Sequence, residues 1–366
     1  MSAPVLRLYA QCVPVRGARR STICDLQRGT YRLIPNGLFD VLTLHRGKTA
    51  DEVKAAYAPD EADTIDAYFR FVVENEMGFW TETPERFPDL ALSWDAAERI
   101  TNAVIDVGRS SAHDFASLFR QLDGLGCRHV QVRWFAPVSP GEVDAALAGA
   151  SRGRQRSVEA LVPWSAEWTD DACIALCGGH PRLMTLFVHS APQARVADGP
   201  VHVRIRFRTE RVTGQDHCGQ VHPMYFTPAI GHFTESQGHN TCLNRKMSVD
   251  EHGEIRNCPS MPRSFGNARG TTLEAALMEP GFTDAWKVTK DQVEVCRDCE
   301  FRHVCTDCRA FTRDAANPLS KPARCAYDPY TATWPGLGDA PASVGVHAPA
   351  DASASAHASA SAAAAA

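Results

Sequence analysis

Eight cysteines crowd the stretch from Cys218 to Cys325, and no other feature restricts the chemistry of this chain as strongly. They are Cys218, Cys242, Cys258, Cys296, Cys299, Cys305, Cys308 and Cys325, with a dense centre Cys296-x2-Cys299-x5-Cys305-x2-Cys308 written CRDCEFRHVCTDC. Two residues between paired cysteines fit a tight turn that aims both sulfurs at one centre, so two such pairs point to metal ligation rather than to ordinary buried thiols. Four thiolates suit one zinc, whereas eight match the ligand count of two four-iron clusters, which makes iron–sulfur the first expectation and zinc the alternative. From about Gln215 onward, glycine, histidine and proline interrupt any regular period. A segment with so few apolar residues is expected to take its order from the metal. Within it only 271–278 keeps a helical apolar pattern.

With 366 residues, 44% of them hydrophobic, the chain can bury one or two full cores, which excludes a minimal disulfide scaffold. The opening MSAPVLRLYAQCVPV has no apolar run of signal-peptide type, and the cysteines total an odd 13, so reduced thiols and a cytoplasmic location are expected. No run of 18 apolar residues suggests a membrane partner. The 38 basic against 43 acidic residues give no global field for nucleic acid.

Along the chain the pattern changes three times. Residues 1–90 offer alternating stretches, LRLYAQCVPV and STICDLQRGTYRLI, that predict strands. Three short helices should follow, one after Pro35, one behind the capping box Thr49-x-x-Glu52, and one from about Glu61 to Gly78. Two or three strands with three helices describe a winged-helix-like module. The Pro-rich stretch from Trp80 to Pro88 reads as a boundary. Over 91–214 strands (100–107, 130–135, 158–162, 183–189, 201–208) alternate with helices (113–125, 142–147, 170–176), which predicts parallel βα units forming a partial or degenerate (β/α) barrel. Residues 215–335 form the cysteine-rich domain. The Ala/Ser tail, 336–366, has no apolar face and is expected to be disordered, His347 and His357 included.

The pattern Cys242-x10-Gly253-x4-Cys258, a gap, the dense centre, a second gap and Cys325 resembles the SPASM domain that follows radical S-adenosylmethionine enzymes acting on peptides. The resemblance implies two auxiliary [4Fe-4S] clusters. One would be held by Cys242, Cys258 and Cys308 with Cys218 as the candidate fourth ligand, the other by Cys296, Cys299, Cys305 and Cys325. Asp25-Leu26-Gln27-Arg28, Tyr31-Arg32-Leu33-Ile34-Pro35-Asn36, Gly78-Phe79-Trp80-Thr81 and Ile100-Thr101-Asn102-Ala103 are similar to the grasp-with-spasm peptide maturases encoded beside ATP-grasp ligases. That likeness implies a ribosomally made precursor peptide and an ATP-grasp peptide ligase as partners. It also implies an N-terminal module that adds a leader peptide as a strand to a sheet edge within 21–34.

The C-x3-C-x2-C loop of a radical enzyme is missing. The loop after the first barrel strand, Gly108-Arg109-Ser110-Ser111-Ala112-His113, has no cysteine, so S-adenosylmethionine is not expected as a cofactor. A partial echo, Cys173-x3-Cys177-x2-His180, reads first as two buried thiols near a helix end. Histidines 217, 222, 232, 239 and 252 read as loop residues that could tune a nearby site, and Arg204, Arg206, Arg208 and Arg211 as one solvated strand face able to receive acidic groups. No G-x-x-x-x-G-K-[ST] loop is present, so ATP chemistry would fall to a partner. The sequence therefore predicts a peptide-maturation protein that binds a precursor and assists a ligase, with no catalytic residue assigned. The alternatives are a redox or radical enzyme with an unconventional cluster and a zinc-stabilised binding protein.

Overall fold

A computed structural model describes residues 3–150, 153–201 and 203–335. The expected disordered tail, Arg152 and His202 lie outside the described residues. The first ten-residue stretch does not form one strand. It divides into β1 (Val5–Leu8) and β2 (Cys12–Val15), which turn away from each other at Tyr9 and join different sheets. β2 starts the antiparallel sheet β2-β3-β4 with β3 (Ser21–Asp25) and β4 (Thr30–Ile34). β1 pairs with β5 (Gly78–Thr81), which runs from the expected helix stop at Gly78 into the stretch read as a boundary from Trp80.

Between these sheets run α1 (Asn36–Leu44), α2 (Ala50–Lys54) and α3 (Ala62–Glu74). The capping box forms as read: Thr49 accepts from the Glu52 amide while the Glu52 carboxylate takes the Thr49 amide. Alternation then makes the small sheet a middle layer. Cys12, Ile23 and Ile34 face Leu38 and Val72 of the helices. Val15, Cys24 and Tyr31 face the opposite way, onto Phe226, Phe301 and Tyr327.

The second half of the fold is an open sheet in the order β10-β11-β9-β8-β7-β6-β12-β13. Its parallel centre comprises β6 (Asn102–Val107), β7 (His129–Trp134), β8 (Ser157–Pro163) and β9 (Leu183–His189), extended by β11 (Arg204–Phe207) and β12 (Lys246–Val249). Short antiparallel strands, β10 (Arg195–Ala197) and β13 (Ile255–Arg256), end it. Helices α4 (Phe115–Gly124), α5 (Pro140–Leu147) and α6 (Asp170–Gly179) supply the crossovers. The expected barrel, partial or degenerate, is thus corrected to an open mixed sheet with two ends.

Helix α8 (Leu273–Met278) falls on the expected helical stretch, but the 215–335 segment otherwise departs from expectation, because it contains α7 (Ile230–Gly238), β12 and β13 as well as an apolar core. Phe226, Phe233, Phe301, Val304, Tyr327 and Trp334 are buried against the N-terminal sheet. Full burial of such side chains is worth about 1.5–3 kcal/mol each, so this segment gains order by packing on residues about 200 positions earlier in the chain. Polar ties add to it. Arg20 Nε donates to the fully buried Glu300 at 2.8 Å, Tyr327 donates its hydroxyl to the same carboxylate, and Thr22 donates to the Glu300 carbonyl at 3.0 Å. No helix among the described residues is long and apolar enough to cross a membrane.

Candidate functional site

Parallel strands covered on both faces usually read as continuous apolar runs. These strands alternate instead: NAVIDV, HVQVRW, SVEALVP, LMTLFVH and KMSV place an apolar set on one side and a polar set on the other. The apolar set, including Ile105, Val132, Ala160, Leu186 and Met247, packs with Phe119, Leu147 and Leu176 from the helices. The opposite face carries in-register rows in which polar residues predominate, interrupted by Val104, Leu161 and Phe187. Ser248, Val104, Gln131, Glu159, Thr185 and Arg204 lie side by side across six strands. One step toward the strand ends, Asp106 stands beside Arg133.

Most of this polar face is buried. Asp106 is fully enclosed, and Arg133 donates to it from Nε at 2.6 Å and from Nη2 at 2.7 Å. Burial raises the Asp106 pKa against the pull of Arg133; burial would lower that of Arg133, but the carboxylate overrides it and raises it. Gln131 Nε2 donates to Glu159 at 3.1 Å. Burial pushes Glu159 up to about 7, with Gln131 and Arg204 opposing. His189, bonded to the Trp134 carbonyl, is lowered by burial. The face therefore holds one locked ion pair and one carboxyl group that changes charge near neutrality.

The cysteines come together in the two groups of four that the sequence resemblance assigned. Cys218, Cys242, Cys258 and Cys308 line a cavity of about 50 Å³ above β6 and β7, together with Gln131, Arg133 and Lys246. Cys296, Cys299, Cys305 and Cys325 are electrostatic neighbours of one another, with Lys290 facing Cys296 and Cys305. Even so, no group of three or more Cys, His, Asp or Glu among the described residues is arranged to hold a metal ion. The assignment of two [4Fe-4S] clusters, the zinc alternative and the likeness to a SPASM or radical S-adenosylmethionine protein are corrected on this finding. Desolvation dominates at these thiols. It raises Cys242, Cys258 and Cys308 to about 11 and Cys296 to about 12.

The remaining candidates have ordinary roles. Cys173 and Cys177 belong to the apolar core behind the sheet, where burial pushes them up to about 11 and 12, and His180 Nε2 lies 2.8 Å from Asp144. His232 is buried on α7, while His252 is exposed. Arg204 and Arg206 share one side of β11, with Ile205 and Phe207 buried on the other.

The N-terminal sheet supplies a different kind of site. Leu26 donates its amide to the Gln11 carbonyl at 3.0 Å, which sets the hydrogen-bonding phase of β2 and β3. In that phase Thr22 and Cys24 face β2, while Ser21, Ile23 and Asp25 face β4. The main-chain groups of Tyr31 and Leu33 then turn outward, to the edge of β4 where no further strand pairs among the described residues. On the other edge Cys12 and Pro14 turn outward, but Pro14 has no amide to offer and the Cys12 amide is already bonded to the Tyr9 carbonyl at 2.9 Å. The two edges thus differ: β4 presents donors and acceptors in alternation, β2 only acceptors. The polar sheet face and this asymmetry went unread in the sequence, although period-two alternation inside parallel strands signalled the first and Pro14 the second.

No family model matches this chain, and no curated protein matches it.

Proposed function

We propose that this protein binds an extended precursor peptide along the outer edge of β4 and serves a peptide-maturation step whose bond-forming chemistry is carried out by a partner ligase. The observation that supports this reading is the open edge itself. Tyr31 and Leu33 each direct an amide and a carbonyl outward, and strand addition uses that pattern for affinity while neighbouring side chains select the sequence. Arg32 is exposed on the same strand, and Tyr31 is anchored against Phe301 at a ring separation of 5.4 Å, so the edge rests on a packed base. An ATP-grasp ligase is the proposed partner, because peptide ligation needs an activated carboxylate and the chain carries no phosphate loop of the Walker type.

The test is strand addition with a single amide removed. Full-length protein is panned against a displayed library of twelve-residue peptides, and selected peptides are titrated against the protein and its Leu33→Pro and Leu33→Val variants. The amide of Leu33 points away from β3, so proline there removes a donor to the peptide and none to the sheet. Retained binding in L33V with at least about tenfold loss in L33P is expected, about 1.4 kcal/mol for one hydrogen bond. In the ligase arm, ATP consumption by an ATP-grasp ligase on the selected peptide should rise with the wild-type protein and not with L33P. Equal binding by all three proteins refutes the reading.

A further inference from the structure

We propose that the groove between β1 and β2 is a second peptide site, selective for an extended segment that carries acidic side chains. This rests on the reading of the protein as a peptide binder but concerns a different surface from the β4 edge. The groove encloses about 450 Å³, within the size range of ligand sites. Its floor is apolar, built from Leu6, Leu8, Val41 and Phe69.

Edges of β1 and β2 contribute to its lining, beside α1, the residues that follow it and residues 89–92. Tyr9 donates its amide to the Met77 carbonyl at 3.0 Å, which fixes the phase of β1 against β5 and turns the main chain of Leu6 and Leu8 toward the groove. Apart from the isolated bridge between Val5 and Thr49, no described strand pairs with that edge. β2 also lines the groove, and its outward carbonyls at Cys12 and Pro14 accept without a matching free donor. A strand laid between β1 and β2 would donate its amides to β2 and exchange bonds with Leu8, joining the two small sheets into one.

Charge identifies the occupant. The lining holds Arg7, Arg46 and Lys48 against one acid, Asp89, with the exposed Glu52 outside the lining but interacting with the Lys48 charge. Asp89 is already taken by Arg7 at 2.8 Å and by Arg46 at 2.6 Å. Lys48 has no carboxylate within ion-pair reach among the described residues, its Nζ lying 3.3 Å from His45 Nδ1. An incoming carboxylate completes this rim, whereas an incoming ammonium is repelled by it.

The test uses full-length protein and two synthetic twelve-residue peptides, one alternating leucine with glutamate and the other leucine with lysine, followed by fluorescence anisotropy and amide exchange. We expect the acidic peptide to bind at least about tenfold tighter than the basic one and to protect the Leu8 amide. Lys48→Glu, an exposed substitution, should narrow or invert that preference, while Leu33→Pro should leave it intact. If binding falls with L33P and ignores K48E, the peptide lies on β4 and the groove proposal is overturned while the proposed function stands. Equal binding of the two peptides, or binding of neither, also overturns it. So does Leu8 protection that appears without peptide and rises with protein concentration, since the groove would then belong to a second copy of the chain.

Discussion

Removing the Asp106 carboxylate should destabilise this protein far more than removing the whole ion pair. Asp106 is fully buried, Arg133 is 3% exposed, and two hydrogen bonds of 2.6 and 2.7 Å join them. Asp106→Ala strips the enclosed guanidinium of its bidentate partner, a loss of about 3–5 kcal/mol when one member of a buried pair is deleted. The double change Asp106→Leu with Arg133→Met removes both desolvation costs and fills the same volume, so it should cost roughly 1–2 kcal/mol or less. Urea unfolding followed by circular dichroism measures both. At an m-value of about 2–3 kcal/mol per molar, the single variant should lower the midpoint by roughly 1–2 M and the double variant by under about 1 M. The reasoning fails if the single variant costs under about 1 kcal/mol, or if the double variant costs as much as the single one.

Burial raises Glu159 to about 7 from its ordinary 4.5, so the folded state holds this proton where the unfolded chain releases it. Its stabilising contribution is complete below about pH 4.5 and is lost as pH rises through 7, a span worth about 3 kcal/mol; Glu159→Gln should flatten that part of the stability profile, and an unchanged profile contradicts the assignment. Alkylation with iodoacetamide at pH 8 should modify the half-buried Cys218 and Cys325 first and spare Cys24 and Cys127, which burial pushes up to about 12. Mass spectrometry that finds Cys24 labelled as fast as Cys218 in folded protein would refute this. Glu300→Ala, which removes the carboxylate shared by Arg20 and the buried Tyr327 and leaves them only their mutual 3.3 Å bond, should cost about 2–3 kcal/mol and open the N-terminal sheet to limited proteolysis before the large sheet; simultaneous cleavage of both sheets counts against it.

The sequence carried most of the secondary structure because local signals agreed with each other. Strand β9 falls on 183–189 as expected, and the Thr49 box starts α2 where its spacing placed it. Pairing was less legible. Leu6 to Val15 reads as one alternating run, and only tertiary contacts, with Gly78–Thr81 on one side and Ser21–Asp25 on the other, split it at Tyr9. The 215–335 segment looked too poor in apolar residues to hold itself together because its aromatic residues are scattered, with Phe226, Phe301 and Trp334 meeting over the N-terminal sheet. The two sets of four cysteines came from the resemblance rather than from spacing alone, and the clusters it implied are overturned. Spacing reports chain proximity, and among the described residues no group of three or more Cys, His, Asp or Glu is arranged to hold a metal ion. The edge of β4 was anticipated within 21–34; which main-chain groups face outward depended on the Gln11–Leu26 bond that sets the phase.

The account centres on β4 as a peptide-binding edge, and residue-resolved amide exchange of the full-length protein, with and without a library-selected peptide, tests it most directly. Bound peptide should slow exchange at Tyr31 and Leu33 by about tenfold or more, while the amide of Arg32, which is directed at β3, changes little. Unchanged exchange at Tyr31 and Leu33 under saturating peptide would contradict the account.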